Sequence, residues 1–164
     1  MQGCMRGNNA VSSEAKDICN AVSAAIDRAE GSEALFGEKA AAISQLRMLA
    51  NDCAEAGWDG DNASVIDPIA VRLAESLIRV LPGNIPLPEF AAAPDGSVSL
   101  DWIQSKTRLF SLSIGSSNRL AYAWLDGSDR GHAVAGFDGA TIPVMILQGI
   151  KGIMNHGNNS LRAA

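Results

Sequence analysis

Apolar positions recur every three or four residues through the first half of this chain, switch to every second residue after Gly96, and return to helical spacing near the C-terminus. Ile18, Val22, Ala25, Ile26 and Ala29 predict a helix over 13–30, capped by Ser12 or Ser13 and stopped by Gly31. Its apolar side is thin and Ala-rich, and a stripe of that kind needs something to dock against. Ala42, Ile43, Leu46, Leu49, Ala50 and Cys53 predict a second helix over 38–56. Ile69, Leu73, Leu77, Val80 and Leu81 predict a third over 67–81, entered through Asp67 and Pro68 and closed by Pro82-Gly83.

Pro82, Gly83, Pro86 and Pro88 make the next stretch an extended connector, and Pro94-Asp95-Gly96 is a turn. Four alternating segments follow, predicting strands over about 97–103, 107–114, 119–125 and 131–137. Their short connections predict an antiparallel meander. A last helix is expected over 142–154, with Pro143 in its first turn. Gly149 and Gly152 each weaken that helix by about 1 kcal/mol relative to Ala, so close packing against a neighbour is expected there. The fold class is therefore α+β: N-terminal helices, a four-stranded antiparallel meander, and a C-terminal helix on one sheet face. Residues 13–155 read as one domain between a loosely ordered N-terminus, 1–12, and a polar tail, 156–164.

The meander predicts two unlike faces. Val98, Leu100, Trp102, Phe110, Leu112, Ile114, Leu120, Tyr122 and Trp124 make one bulky, and the helices are expected to cover it. The other carries Ser111, Ser113, Ala121 and Ala123 with Leu109 and Leu125, small enough for close approach by solvent, a partner or a second copy.

Charge changes the picture in one region. The net charge is -5, and residues 51–100 hold eight acidic and only two basic side chains. An acidic chain without a basic cluster lacks the footprint of a phosphate-backbone binder, so direct nucleic-acid binding is not expected. No apolar run reaches the roughly 18 to 20 residues of a membrane span, and residues 1–11 lack the apolar core of a secretory signal, so the expected location is the cytoplasm. Cys4, Cys19 and Cys53, widely spaced, suit reduced buried thiols.

Candidate chemistry is sparse. His132 and His156 have no carboxylate or thiol nearby in sequence at ligand spacing. Asp59, Asp61 and Asn62 begin as calcium loops do, yet the twelfth position, which needs a bidentate Glu, is Ala70. A turn anchored by Trp58 explains the same residues. No Ser stands in a nucleophile-elbow setting and no Gly-rich stretch carries a phosphate-binding Lys, so neither a cofactor nor a metal is expected.

Trp58-Asp59-Gly60, a helix ending Leu81-Pro82, Pro88-Glu89, and Pro94-Asp95-Gly96-Ser97-Val98-Ser99-Leu100-Asp101-Trp102 together resemble a family of small bacterial proteins of unassigned function. Its members show W-D-G-Y-G-A, a helix ending L-P, then P-D-G-x-I-x-L-E-W and a hairpin pair. The resemblance spans Leu46 to Met154, departs at Asp61 and Asn62, and brings no catalytic assignment. It implies an accessory gene of bacterial or phage mobile elements.

The functional expectation is a non-enzymatic interaction protein of the immunity, antitoxin or anti-defence type, bound to a protein with a basic surface. Its contact residues are expected among Trp58, Asp59, Asp61, Asn62, Leu109, Ser111, Ser113, Ala121, Ala123 and Leu125. The alternatives are an enzyme assembled around Asp59, Asp61, Asp101 and His132, and a homo-oligomer pairing through the Ser/Ala face.

Overall fold

The computed structural model describes residues 13–155, with side chains from residue 16 onward. The segments 1–12 and 156–164, and with them Cys4 and His156, lie outside the described residues. Along the chain run α1 (Ser13–Asp52), α2 (Pro68–Val80), β1 (Glu89–Ala92), β2 (Val98–Ser105), β3 (Arg108–Ile114), β4 (Arg119–Asp126), β5 (Asp129–Gly136) and α3 (Val144–Asn155). The class is α+β, as the pattern predicts, with two corrections.

First, the two predicted N-terminal helices are one. Gly31 and Gly37 are not among the glycines at positive φ, so neither takes the left-handed cap that would end a helix. Each costs about 1 kcal/mol in a helix interior, and the surrounding Ala, Glu, Leu and Lys are strong enough formers to carry the helix through. Second, the sheet has five strands in the order β1-β2-β3-β4-β5, all antiparallel neighbours. The connector ends in β1, whose Glu89–Ala92 pairs with Asp101–Val98 of β2. Four residues beside three prolines give too short an alternation to stand out in sequence.

Contacts divide the chain at Gly37 into two units. In the first, the described part is helix, with Arg28 Nε donating to the Ala24 carbonyl and Ser32 Oγ to the Arg28 carbonyl. Ile18, Val22, Ile26 and Phe36 are exposed, as is Cys19, against the expectation of a buried thiol.

The second unit begins at Glu38 and holds the core. Ala42 and Leu46 of α1, and Cys53 just past its end, are buried with Ala70, Ala74, Leu77 and Ile78 of α2, and Ile146, Ile150 and Ile153 of α3 complete the helical side. All of these pack with the bulky side of the sheet, where Val98, Leu100, Trp102, Phe110, Leu112, Ile114, Leu120 and Tyr122 are buried. Burial pushes the Cys53 thiol up in pKa, assisted by Asp52, which leaves it a poor nucleophile.

Polar groups fix how α1 meets α2. Glu75, nearly buried, accepts from Arg47 at 2.7 and 2.9 Å and from Arg79 at 2.8 Å. The Arg47 hydrogen bonds hold its carboxyl below the usual carboxylate range. Lys39 Nζ donates to the carbonyls of Arg79 and Leu81 at 3.0 and 2.6 Å, satisfying acceptors that the end of α2 leaves open. At the other end of α2, Asp67 caps as predicted, its carboxylate accepting the Ile69 amide at 2.7 Å ahead of Pro68. Trp102 Nε1 donates to the Pro86 carbonyl at 2.7 Å and ties the proline connector to β2. No helix of the described residues is long and apolar enough to cross a membrane.

Candidate functional site

Period-two alternation sends half of each strand away from the core, and the register aligns those halves into rows. Ile103, Leu109, Leu125 and Arg130 make one row across β2 to β5. Asp101, Ser111, Ala123 and His132 make the next, and Ser99, Ser113, Ala121 and Val134 the third. All are half-buried or exposed. Six of the ten residues singled out in the sequence, Leu109, Ser111, Ser113, Ala121, Ala123 and Leu125, therefore sit together on one open face.

The polar groups of that face are bonded to each other. Asp101 Oδ1 accepts from Ser111 Oγ at 2.5 Å and from Ser99 Oγ at 2.9 Å, and the two hydroxyls are 3.2 Å apart. Ser113 Oγ donates to Ser97 Oγ at 3.2 Å, and Ser97 donates both hydroxyl and amide to Asp95 at 2.7 and 3.0 Å. The Ser97 hydroxyl, and then its amide, hold the Asp95 carboxyl below its ordinary value. Next to these bonded hydroxyls the Cβ-only side chains of Ala121 and Ala123 leave a shallow trough of about 220 Å³, edged by His132 and Val134.

The remaining four, Trp58, Asp59, Asp61 and Asn62, form a separate loop. Asp59 Oδ1 accepts the amides of Asp61 and Ala63 at 2.9 and 3.3 Å, and Trp58 Nε1 donates to the Ser64 carbonyl at 3.0 Å. Gly57 and Gly60 turn the chain at positive φ. This is an Asx-type turn closed on itself, with the Trp58 ring packed on the core. The loop is pinned to the first hairpin: Ser64 N donates to the Pro94 carbonyl and Asp67 N to the Gly96 carbonyl, at 2.8 and 2.9 Å. A Cβ on Gly96, already at φ +85°, would lie 2.8 Å from the Val65 carbonyl oxygen. That explains Pro94-Asp95-Gly96 physically: a tight turn whose backbone must touch another backbone.

The residues of the catalytic alternative do not converge. Asp101 and His132 share a row but stand three strand spacings apart, about 14 Å between Cα atoms. Asp59 and Asp61 lie on the loop, where Asp59 is occupied by backbone amides. Among the described residues no group of three or more His, Cys, Asp or Glu side chains is placed to hold a metal. Sequence reasoning missed the carboxylate–hydroxyl cluster on Asp101, although the alternation Ser99-x-Asp101 facing Ser111 carried the signal once the β2–β3 register was known.

Compared with known proteins, the chain matches no family model, no curated protein and no solved structure.

Proposed function

We propose that this chain is a non-enzymatic binding protein of the inhibitor type, which attaches to another protein and occludes part of its surface. One observation supports the reading: the outer sheet face is open and its centre is built of small side chains whose hydroxyls are already engaged, Ser99 and Ser111 with Asp101 and Ser113 with Ser97. Ala has no rotamers to lose and a bonded Ser few, so docking on such a face costs little side-chain entropy. Half-exposed Ile103 and Val134, at opposite corners of the rows, add apolar contact.

The partner this arrangement fits is basic. Asp52, Glu55, Asp59 and Asp61 are exposed on and beside the loop, and complementary charge speeds encounter and fixes orientation. An acidic occluding protein of this kind accords with the immunity, antitoxin or anti-defence roles that a bacterial or phage accessory gene implies, and its place of action is then the cytoplasm.

The test is affinity capture from host lysate with the wild-type chain and two variants, Ala123→Arg on the face and Glu55→Gln/Asp59→Asn/Asp61→Asn on the loop. A protein enriched by the wild type and lost with Ala123→Arg is the expected result. No enriched protein, or one retained equally by both variants, overturns the reading. Light scattering on the purified chain covers the homo-oligomeric alternative: a dimer that Ala123→Arg dissociates assigns the face to a second copy.

A further inference from the structure

On the opposite side of the sheet, beyond the closed core, α3 and the ends of β3, β4 and β5 leave a cavity of about 260 Å³. Its wall is aromatic. Phe110 and Tyr122 stack at 5.6 Å, Tyr122 and Trp124 at 6.1 Å, and Met145 and Ile153 close it from the helix. Two glycines make room for these rings. A Cβ on Gly131 would lie 2.2 Å from Trp124 Cζ2, and one on Gly149 would lie 2.5 Å from Phe110 Cε2. Gly152, by contrast, has nothing within 4 Å of where its Cβ would stand. The expected close packing therefore holds at Gly149 only, and Gly152 faces the open space of the cavity.

The mouth carries the hairpin pair Asp126 and Asp129. Arg108 Nε lies 2.8 Å from Asp126 Oδ1, so one carboxylate is paired. Asp129 has no cation within salt-bridge distance among the described residues, and the Tyr122 hydroxyl makes no hydrogen bond to them. The lining thus combines an aromatic wall, a polarizable thioether, a free phenolic handle and one uncompensated negative charge.

From this we infer that the cavity binds a compact organic cation, an alkylammonium or alkylguanidinium group, with its alkyl part along Phe110, Tyr122 and Trp124 and its charge toward Asp129. Aromatic faces attract such cations through their quadrupole, more strongly where water is partly excluded. The size agrees: drug-sized ligands occupy about 300–1,000 Å³, whereas this space suits a small amine or a single long side chain. An anion would meet the Asp129 carboxylate, and a neutral apolar guest would leave that charge beside it without compensation. The inference is independent of the outer face, which lies on the other side of the sheet.

The test follows the indole and glycine amide signals of the ¹⁵N-labelled chain during titration with three probes: butylguanidinium, N-acetylarginine N-methylamide, and N-acetylnorleucine N-methylamide as neutral analogue. Saturable shifts of the Trp124 indole and the Gly149 and Gly152 amides are expected with both cations, weakened about tenfold in the neutral analogue and about tenfold by Asp129→Asn. Asp129 is the exposed first residue of β5, and unchanged Trp58 and Trp102 indole signals verify that the variant is folded. Tighter binding of butylguanidinium assigns the site to a free small organic cation, and tighter binding of the arginine amide assigns it to a side chain on another protein. Equal affinity for the neutral analogue, undiminished binding by Asp129→Asn, or no shift at tens of millimolar overturns the inference.

Discussion

The two faces of this sheet are cut from the same strands, and they differ in what a changed side chain would disturb. On the inner face Leu100, Leu112, Ile114 and Leu120 are wholly excluded from solvent, in the core they share with the helices. On the outer face the alternating neighbours Ser99, Ser111, Ala121 and Ala123 meet solvent and one another. The contrast teaches that stability and recognition are separated by a single-residue offset along each strand. A register slip of one position would exchange the faces, so the bulky set also enforces the register that assembles the small set.

The strongest way to break the comparison is to truncate the inner face. Leu112→Ala removes a fully buried side chain from the centre of the sheet and should destabilise by about 3–5 kcal/mol in urea unfolding. A loss below about 1 kcal/mol would mean that the core is not where the burial places it. Adding volume tests the same face from the other direction. Gly131→Ala drives a methyl into the Trp124 ring, and Gly149→Ala into Phe110; each should cost about 1–3 kcal/mol by calorimetry. Gly152→Ala, with open space around it, should be neutral or slightly stabilising through helix propensity.

The next effect in size is pH-dependent and lies on the helix side of the core. Arg47 and Arg79 lower the pKa of Glu75 in the folded state, so the unfolded chain binds its proton more tightly. The resulting stability is present in full above the unfolded carboxylate range, about 4.3, and is lost as pH falls through the lower folded value. Glu75→Gln should cost about 1–2 kcal/mol at pH 7, because Gln forfeits the charge-assisted bonds, and should flatten the stability profile between roughly pH 5 and 3. An unchanged slope in denaturation midpoints over that range would remove Glu75 as a contributor.

Much of this was legible before any coordinates. The four longer strands, the Asp67-Pro68 entry to α2, and the division of the sheet into a bulky and a small face followed from alternation and capping chemistry. The continuity of α1 was not, since a glycine reads as a stop until its φ is known, and Gly31 and Gly37 lack the positive φ that makes it one. β1 escaped because four residues carry too little alternation. Oxygen-rich turns and metal loops share a composition, so Asp59 and Asp61 could be read as a turn anchored by Trp58 without showing which groups they bond; the geometry adds that Asp59 accepts backbone amides of its own loop. The aromatic cavity was hidden for a different reason. Its lining joins β3, β4, β5 and α3, and no spacing along the chain relates Trp124 to Gly149.

The smallest expected change in stability sharpens the comparison most. Ala123 is exposed on the outer face between Ser111 and His132, and Arg in its place projects into solvent without displacing any core atom. Surface substitutions of that kind fall within about 0.5 kcal/mol, so Ala123→Arg should leave the urea midpoint almost unmoved. Its effect belongs to recognition, because a long charged side chain in the middle of an open, small-residue face holds any docked surface away. If unfolding shifts by as much as for an inner-face truncation, the outer face is structural, and the separation of roles along each strand fails. If stability is kept and binding is lost, one residue has divided what the face does from what holds it together.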